Sequence, residues 1–574
     1  MVDDDLLTDA RAWRAQDPDP VTRAELDALV SRVEAGDGPA AAELRERFTG
    51  RLAFGTAGLR GELGAGPMRM NRVLVSQAAA GFASFLTGRG PHPSIVIGYD
   101  GRHNSSVFAR DTAELMQGAG VRAILLPRAL PTPVLAFAVR HLHASAGVMV
   151  TASHNPARDN GYKVYLGDSD AGSQIVPPSD GAIAAEIVRV ATRSITELPR
   201  ATDYGIADES VVDAYVRATA ALSAGRSRLR VVYTPLHGVG WETAAAVFAA
   251  AGFAAPTTVD AQVQPDPDFP TVSFPNPEEA GAMDLAFETA AASGAQLIIA
   301  NDPDADRVAV GVPDATAEIG WRRLSGNEVG WLLGWRAARR LEAAGDDLGM
   351  RATLACSLVS SPALRAIAEH FRLDFVETLT GFKWISRVGG LAYGYEEALG
   401  YLVDPAKVRD KDGISAAVEV IELFTELAES ETTLEQHLAE FAETFGGYAS
   451  GQISIRVAET AEISRTMARL RKELPSQVGG IRVKRIDDFV DGFDTFPPSD
   501  LLRLHLEGGG RVIVRPSGTE PKLKCYLDTV ARDGSGTERL AAAEAMLAQL
   551  EAGMRRLLSE HDGTSAPRGT DEKN

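Results

Sequence analysis

From residue 54 onward the chain repeats one pattern: a short β-branched or apolar run, a loop of small and polar residues, then a stretch with apolar positions at helical spacing. SIVIGYD (94–100) is followed by SSVFARDTAELMQGAG (105–120), and RLRVVYTPLHG (228–238) by VGWETAAAVFAAAG (239–252). Strands alternating with helices predict parallel α/β sheets, whose ligands lie beyond the carboxyl ends of the strands. The loops directly after GVMV (147–150), LIIA (297–300) and RVIV (511–514) are therefore where chemistry is expected.

The ends differ from this pattern. VTRAELDALVSRVEAG (21–36) and AAAELRERF (40–48) predict helices that act as a packing appendage. SGQISIRV, IRVKRIDDFV, RLHLEGGGRVIVRPSG and KLKCYLDTV predict antiparallel strands, closed by one helix over 538–558, so the last part is α+β. Polar or Gly-bearing stretches near Asp203, Leu324 and Gly446 divide the chain into 1–203, 204–324, 325–446 and 447–560. The remaining 561–574 is a polar tail with nothing to bury, expected to be disordered.

With 574 residues, 45% hydrophobic and 24% charged, the chain is a multidomain globular protein. It has no apolar run long enough to span a bilayer and an acidic start where a secretory signal is basic, so a cytoplasmic protein is expected. Cys356 and Cys525 stand alone in apolar runs, which excludes a disulfide framework. A net charge of −20 argues against nucleic acid or an anionic membrane as partner. It leaves room for a small anion held by locally concentrated Arg and Lys.

Three motifs carry candidate chemistry. Thr151-Ala152-Ser153-His154-Asn155-Pro156 sets a hydroxyl on a strand-exit loop beside an imidazole, which suits a nucleophile; alone it also reads as an ordinary Ser/Asn/Pro turn. Asn301-Asp302-Pro303-Asp304-Ala305-Asp306-Arg307 puts carboxylates at alternate positions, so that three converge and suit a hard cation such as Mg²⁺. An EF-hand is excluded, because Arg307 stands where Gly is required and Pro313 where Glu is required. Arg515-Pro516-Ser517-Gly518-Thr519-Glu520-Pro521-Lys522 combines a guanidinium, two hydroxyls and a Gly-permitted backbone approach, an anion site or a turn. No Gly-x-x-x-x-Gly-Lys-Ser/Thr exists, so a P-loop nucleotide is excluded. GYEEALG (394–400) and FGTAGLRG (54–61) are weaker singly.

Taken together, TASHNP, DPDADR, GYEEALG and RPSGTEPK, in that order, resemble the α-D-phosphohexomutase superfamily. FGTAGLRG, GYDGRHNSS, DNGYKVY, TPLHGVG and TGFKWI draw the resemblance toward the bacterial phosphoglucomutase and phosphopentomutase-like branch. The resemblance implies a four-domain, heart-shaped α/β enzyme: three related α/β domains and a smaller α+β C-terminal domain around one cleft. It implies that Ser153 is a phosphoserine and that Asp302, Asp304 and Asp306, with Ser153, hold Mg²⁺. By the same resemblance Arg307, Thr380, Gly381, Lys383, Glu396 and Lys411 line the sugar. Arg515, Ser517, Gly518 and Thr519, with Lys522 and Lys524 nearby, grip the phosphate that is not transferred. Lys163, His154 and Arg60 are the candidates for proton transfer, Lys163 first.

The implied activity is a phosphosugar mutase acting through a sugar 1,6-bisphosphate that is both primer and intermediate. Glucose 1-phosphate is the leading substrate, with mannose and ribose or deoxyribose phosphates as alternatives. Ala398 replaces the Ser that many phosphoglucomutases carry after the paired Glu, so one sugar contact is in question. A metal-dependent phosphatase and a non-catalytic sugar-phosphate sensor are the competing classes, and the family includes monomers and homodimers.

Overall fold

The computed structural model describes residues 4–56, 58–345, 351–457, 460–517 and 522–559. These form two compact units: residues up to Ser357 together with Thr380–Glu426, and Leu358–Leu379 together with the chain from Leu427 onward.

The first unit opens with the helices Asp4–Gln16, Pro20–Glu34 and Gly38–Phe48. Asp19 and Asp37 cap the second and third, each followed by a Pro in the first turn. Trp13, Leu26, Leu29, Val33 and Leu44 form their core, which extends onto Val73 and Ile195 of the first α/β domain.

Two sheets follow. In the first, the neighbours run Leu59–Glu62, Asp159–Leu166, Ala146–Val150, Ser94–Tyr99, Arg122–Leu125, Gly205–Ile206. In the second they run Trp321–Arg323, Val308–Pro313, Leu297–Asn301, Val231–Thr234, Thr257–Thr258. The helix Arg72–Arg89 covers the first sheet and is apolar on nearly every side because it lies between that sheet and the helix Ser179–Val190. A side chain at Gly81 would put its Cβ 2.6 Å from Ile187 Cα, so the two helices meet at a distance that Gly sets.

The sheets are mixed rather than purely parallel as the alternation of elements predicted. Ala146–Val150, Ser94–Tyr99 and Arg122–Leu125 are parallel, but Asp159–Leu166 returns antiparallel to Ala146–Val150, pairing Met149 with Lys163. Leu297–Asn301 is parallel to Val231–Thr234, whereas Val308–Pro313 turns back beside it with Asn301 opposite Val308. Leu391–Glu396 is parallel to Thr353–Ser357 and then doubles back through Gly400–Leu402, Glu396 opposite Gly400. Each of the three motif loops in this unit is therefore a hairpin tip.

The helix Gly326–Ala344 begins with a capping box between Ser325 and Glu328. Arg336 of this helix pairs with buried Glu419 at 2.8 Å, tying it to the helix Gly413–Glu429.

In the second unit Gly447–Arg456, Lys522–Ala531, Arg511–Pro516, Leu502–Leu506 and Ile481–Asp488 form an antiparallel sheet under the helix Gly536–Ser559, as the sequence predicts. The helix Thr460–Lys472, not anticipated, packs Ile463, Met467 and Leu470 into the same core. Leu358, Val359 and Leu379 join Phe489, Leu501, Ile513 and Tyr526, so residues 358–379 belong by contact to this unit although they lie within the 325–446 segment. Cys356 and Cys525 are both buried, and neither is in a disulfide among the described residues. No helix of the described residues is long and apolar enough to cross a membrane.

Candidate active site

Ser153 sits at the tip of the first hairpin with φ +55, a left-handed conformation unusual for a residue with a side chain. Its backbone N–H donates to Thr151 Oγ1 at 2.8 Å, and its Oγ donates to Asp302 Oδ2 at 2.9 Å. His154 Nδ1 lies 3.2 Å from the same Oγ. Burial, reinforced by the charges of Arg307 and Arg60, pushes the His154 imidazole well below its ordinary pKa, so it is neutral at physiological pH.

One residue absent from the sequence-derived set holds this loop. Arg102, its side chain 1% exposed, donates to four main-chain carbonyls: Ser153 O at 2.6 Å, Asn155 O at 2.5 Å, Pro156 O at 2.8 Å and Asp159 O at 3.1 Å. Nothing in GYDGR marks its arginine for this, because carbonyl partners leave no signature in side-chain chemistry. Arg60 reaches Asn155 Oδ1 at 3.1 Å.

Asp302, Asp304 and Asp306 lie on the second hairpin tip, all at 0% exposure. Oxygens from the three lie within 4.8 Å of one another. Their neutralisation is local: Lys163 Nζ stands 2.6 Å from Asp304 Oδ2 and 2.7 Å from Asp306 Oδ2, Lys411 Nζ 2.9 Å from Asp306 Oδ2, and Arg307 Nε 3.7 Å from Asp306 Oδ1. Burial, then the neighbouring Asp304 and Asp306, drive Asp302 well above the carboxylate range. Burial pushes Asp304 and Asp306 the same way, but Lys163 with Thr132 holds Asp304 below it, and Lys163, Lys411 and Arg307 hold Asp306 below it.

The donor set fits a hard divalent cation. Asp304 Oδ1 and Asp306 Oδ1 are buried without a hydrogen-bond partner, and an orphaned carboxylate oxygen in a protein interior is costly unless a cation meets it. All the ligand atoms are oxygens, as Mg²⁺ prefers.

A loop missed in the functional reading braces this tip. Val239 N donates to Pro303 O at 2.9 Å, and a Cβ on Gly238 would fall 2.2 Å from Pro303 Cα. The glycine of TPLHGVG thus marks a close backbone approach.

Glu396 and Glu397 end the third hairpin. Glu396 Oε1 accepts from Gly381 N at 2.6 Å and Glu397 Oε2 from Ser357 Oγ at 3.0 Å. Burial, then the adjacent Glu397, raises Glu396 above its ordinary pKa. Arg307 Nη1 donates to Ala398 O at 2.6 Å, linking the second and third tips. Lys383 Nζ donates to Thr56 Oγ1, and Thr380 and Gly381 lead into the short helix Phe382–Ile385 that carries it.

The structure thus brings together Ser153, His154, Lys163, Asp302, Asp304, Asp306, Arg307 and Lys411 through direct contacts. Arg515 and Ser517, with Lys522 and Lys524, lie at the tip and in the returning strand of a hairpin in the second unit, where Pro516 pairs with Leu523. Gly518 and Thr519 lie outside the described residues.

Sequence comparison gives this arrangement its family. Profiles described as phosphoglucomutase/phosphomannomutase domains I, II and III and the C-terminal domain match residues 51–193, 213–315, 325–445 and 457–547. A Haemophilus influenzae protein named "Probable phosphomannomutase" is 53% identical over 494 residues, covering 86% of this chain and 98% of the relative. Human phosphopentomutase is 35% identical, covering 86% and 87%. A Staphylococcus epidermidis phosphoglucomutase is 33% identical, covering 84% and 92%. The crystal structure of a Burkholderia thailandensis phosphoglucomutase/phosphomannomutase family protein superposes with a TM-score of 0.66 at 18% identity, over 90% of this chain and 99% of that one.

The chain belongs to the phosphoglucomutase/phosphomannomutase family of the α-D-phosphohexomutase superfamily, with its four-domain architecture. It is a phosphosugar mutase, an isomerase that moves a phosphoryl group within one sugar.

Proposed function

We propose that the chain interconverts hexose 1-phosphate and hexose 6-phosphate, with α-D-glucose phosphate as principal substrate, through phosphorylated Ser153. The observation that carries this reading is the 2.9 Å contact between Ser153 Oγ and Asp302 at the edge of the carboxylate triad.

In the proposed reaction the Oγ–phosphorus bond of phosphoserine breaks as the free sugar hydroxyl forms its own bond to phosphorus, and the hydroxyl proton passes to a base. The bisphosphate reorients, the bond between its other sugar oxygen and phosphorus breaks as Ser153 Oγ takes back a phosphoryl group, and the departing sugar oxygen receives the proton from the base. His154 is neutral and adjacent to Ser153 Oγ, so its geometry and charge favour it for the proton, whereas Lys163 is occupied by two carboxylates. Asp302, Asp304 and Asp306 would hold Mg²⁺, which when bound neutralises charge developing on the phosphoryl oxygens. Glu396 and Glu397 present two acceptors suited to neighbouring sugar hydroxyls, with Arg307, Lys411, Lys383, Thr380 and Gly381 around them. Arg515, Ser517, Gly518, Thr519, Lys522 and Lys524 are assigned to the phosphate that stays in place.

The names of the relatives spread over hexose and pentose substrates, and the hexose reading draws support from the 53% identical relative. The test is ³¹P NMR of the purified enzyme with Mg²⁺ and a trace of glucose 1,6-bisphosphate, offered glucose, mannose or ribose 1-phosphate in separate tubes. Glucose 6-phosphate formed fastest supports the assignment. Faster ribose 5-phosphate makes the protein a phosphopentomutase, faster mannose 6-phosphate a phosphomannomutase, and inorganic phosphate alone a phosphatase.

A further inference from the structure

We infer that the turn Pro265–Phe269 is a bracket that sets the register between the serine loop and the aspartate loop, with Arg102 and Phe269 as positioning residues. The inference rests on the reading of Ser153 and the aspartates given above.

The bracket has two arms. One grips the serine side. The guanidinium that ties together four carbonyls of the Ser153 loop lies 4.9 Å from the centroid of the Phe269 ring, a cation–π contact in a buried setting. Asp100 Oδ2 flanks its Nε at 3.5 Å, and Asp100 Oδ1 accepts from Ser105 Oγ at 2.6 Å and from Arg102 N at 3.0 Å. A Cβ on Gly101 would lie 3.1 Å from Pro265 Cβ, and His103 Nε2 meets Asp268 Oδ1 at 2.8 Å. The segment 101–103 is thus applied to 265–269 residue by residue.

The other arm grips the aspartate side. Asp266 N donates to His237 O at 3.0 Å, while His237 N donates to Gln262 O at 2.9 Å. His237 Nε2 lies 2.8 Å from Thr271 Oγ1, which also accepts from Gln262 Nε2 at 2.9 Å. The next residues, Gly238 and Val239, are those pressed against Pro303.

Backbone strain falls at both grips. Ser153, Leu236, His237, Phe269 and Ala305 all have positive φ, and such conformations persist only where surrounding contacts fix them. Between the arms lies the distance on which phosphoryl transfer depends, Ser153 Oγ to the triad. A misplacement of about 1 Å in a reacting group costs on the order of a hundredfold in rate.

The test compares Phe269→Leu, Phe269→Tyr and Arg102→Lys in the full-length enzyme. Phe269→Leu keeps apolar bulk but removes the ring face, and is expected to lower kcat by about tenfold with KM within about twofold. Amide hydrogen exchange should rise in both 151–159 and 302–307, not only in 262–272. Phe269→Tyr, which keeps the ring, should restore both readouts. If Arg102→Lys fails to fold, the Phe269 pair still decides. A kcat for Phe269→Leu within twofold of wild type, unchanged exchange in either loop, or failure of the Tyr rescue overturns the bracket. A wild type without mutase activity would instead overturn the functional reading, and the exchange data would still judge the bracket.

Discussion

Lys163 Nζ lies 2.6 Å from Asp304 Oδ2, a buried ion pair between the returning strand of the first sheet and the hairpin tip of the second. Beside two orphaned carboxylate oxygens, the lysine already balances part of the charge that a cation would meet. Lys163→Met should destabilise the cation-free protein by about 3–5 kcal/mol, the usual result of stripping one partner from a buried pair. Added Mg²⁺ should recover much of that loss. Thermal unfolding in EDTA and in Mg²⁺ measures both, and an equal deficit in the two conditions would show that lysine and cation do not share the site.

Ser153→Ala should abolish turnover while leaving the circular dichroism spectrum unchanged. The strained backbone there is held by Arg102 and Thr151 through main-chain atoms rather than through the hydroxyl. Full activity in this variant would remove the phosphoserine mechanism.

Asp304→Asn keeps the acceptor oxygen and removes the charge. Mg²⁺ should then bind at least tenfold more weakly and kcat fall with it. The check is a Mg²⁺ titration of rate alongside calorimetric binding, and an unchanged midpoint would reassign the ligand.

In the second unit His505 Nε2 lies 2.7 Å from buried Asp487, and burial holds its imidazole below the ordinary value despite that carboxylate. A base with a depressed folded-state pKa binds its proton more readily when unfolded, so stability is lost as pH falls below about 6.5. His505→Gln removes that contribution. Its unfolding temperature should fall less than that of wild type between pH 7.5 and 5.5, as differential scanning fluorimetry can record.

The motifs were legible because each is contiguous in the chain and follows an apolar run; TASHNP alone also reads as a turn, and it was the joint order of the motifs that drew the family resemblance on which the roles of Ser153 and the three aspartates rest. Strand direction was not legible, since apolar periodicity is the same whether a strand continues a parallel series or turns back. The helix Thr460–Lys472 offered only Ile463, Met467 and Leu470 at helical spacing among charged neighbours, too few to declare it. Arg102 and Phe269 escaped for a different reason: one acts on carbonyls and the other through a ring face, so GYDGRHNSS contributed to the family resemblance without giving its arginine a role. The assignment of 358–379 to the second unit depends on packing partners more than a hundred residues away, which no local pattern encodes.

The three motif loops of the first unit, and the Arg515 loop of the second, begin and end on cross-strand neighbours: Met149 with Lys163, Asn301 with Val308, Glu396 with Gly400, Pro516 with Leu523. Paired strands fix the ends of such a segment roughly 5 Å apart whatever lies between them. The stretch between Glu396 and Gly400 is held at its ends in this way, and its tip is also tied to the aspartate hairpin, with Ala398 O accepting from Arg307 at 2.6 Å and Leu399 O from Val308 N at 3.1 Å. On the function proposed above, exchanging this stretch for that of a relative would therefore alter the sugar contacts and the aspartate hairpin together, so that preference and phosphoryl chemistry cannot diverge independently.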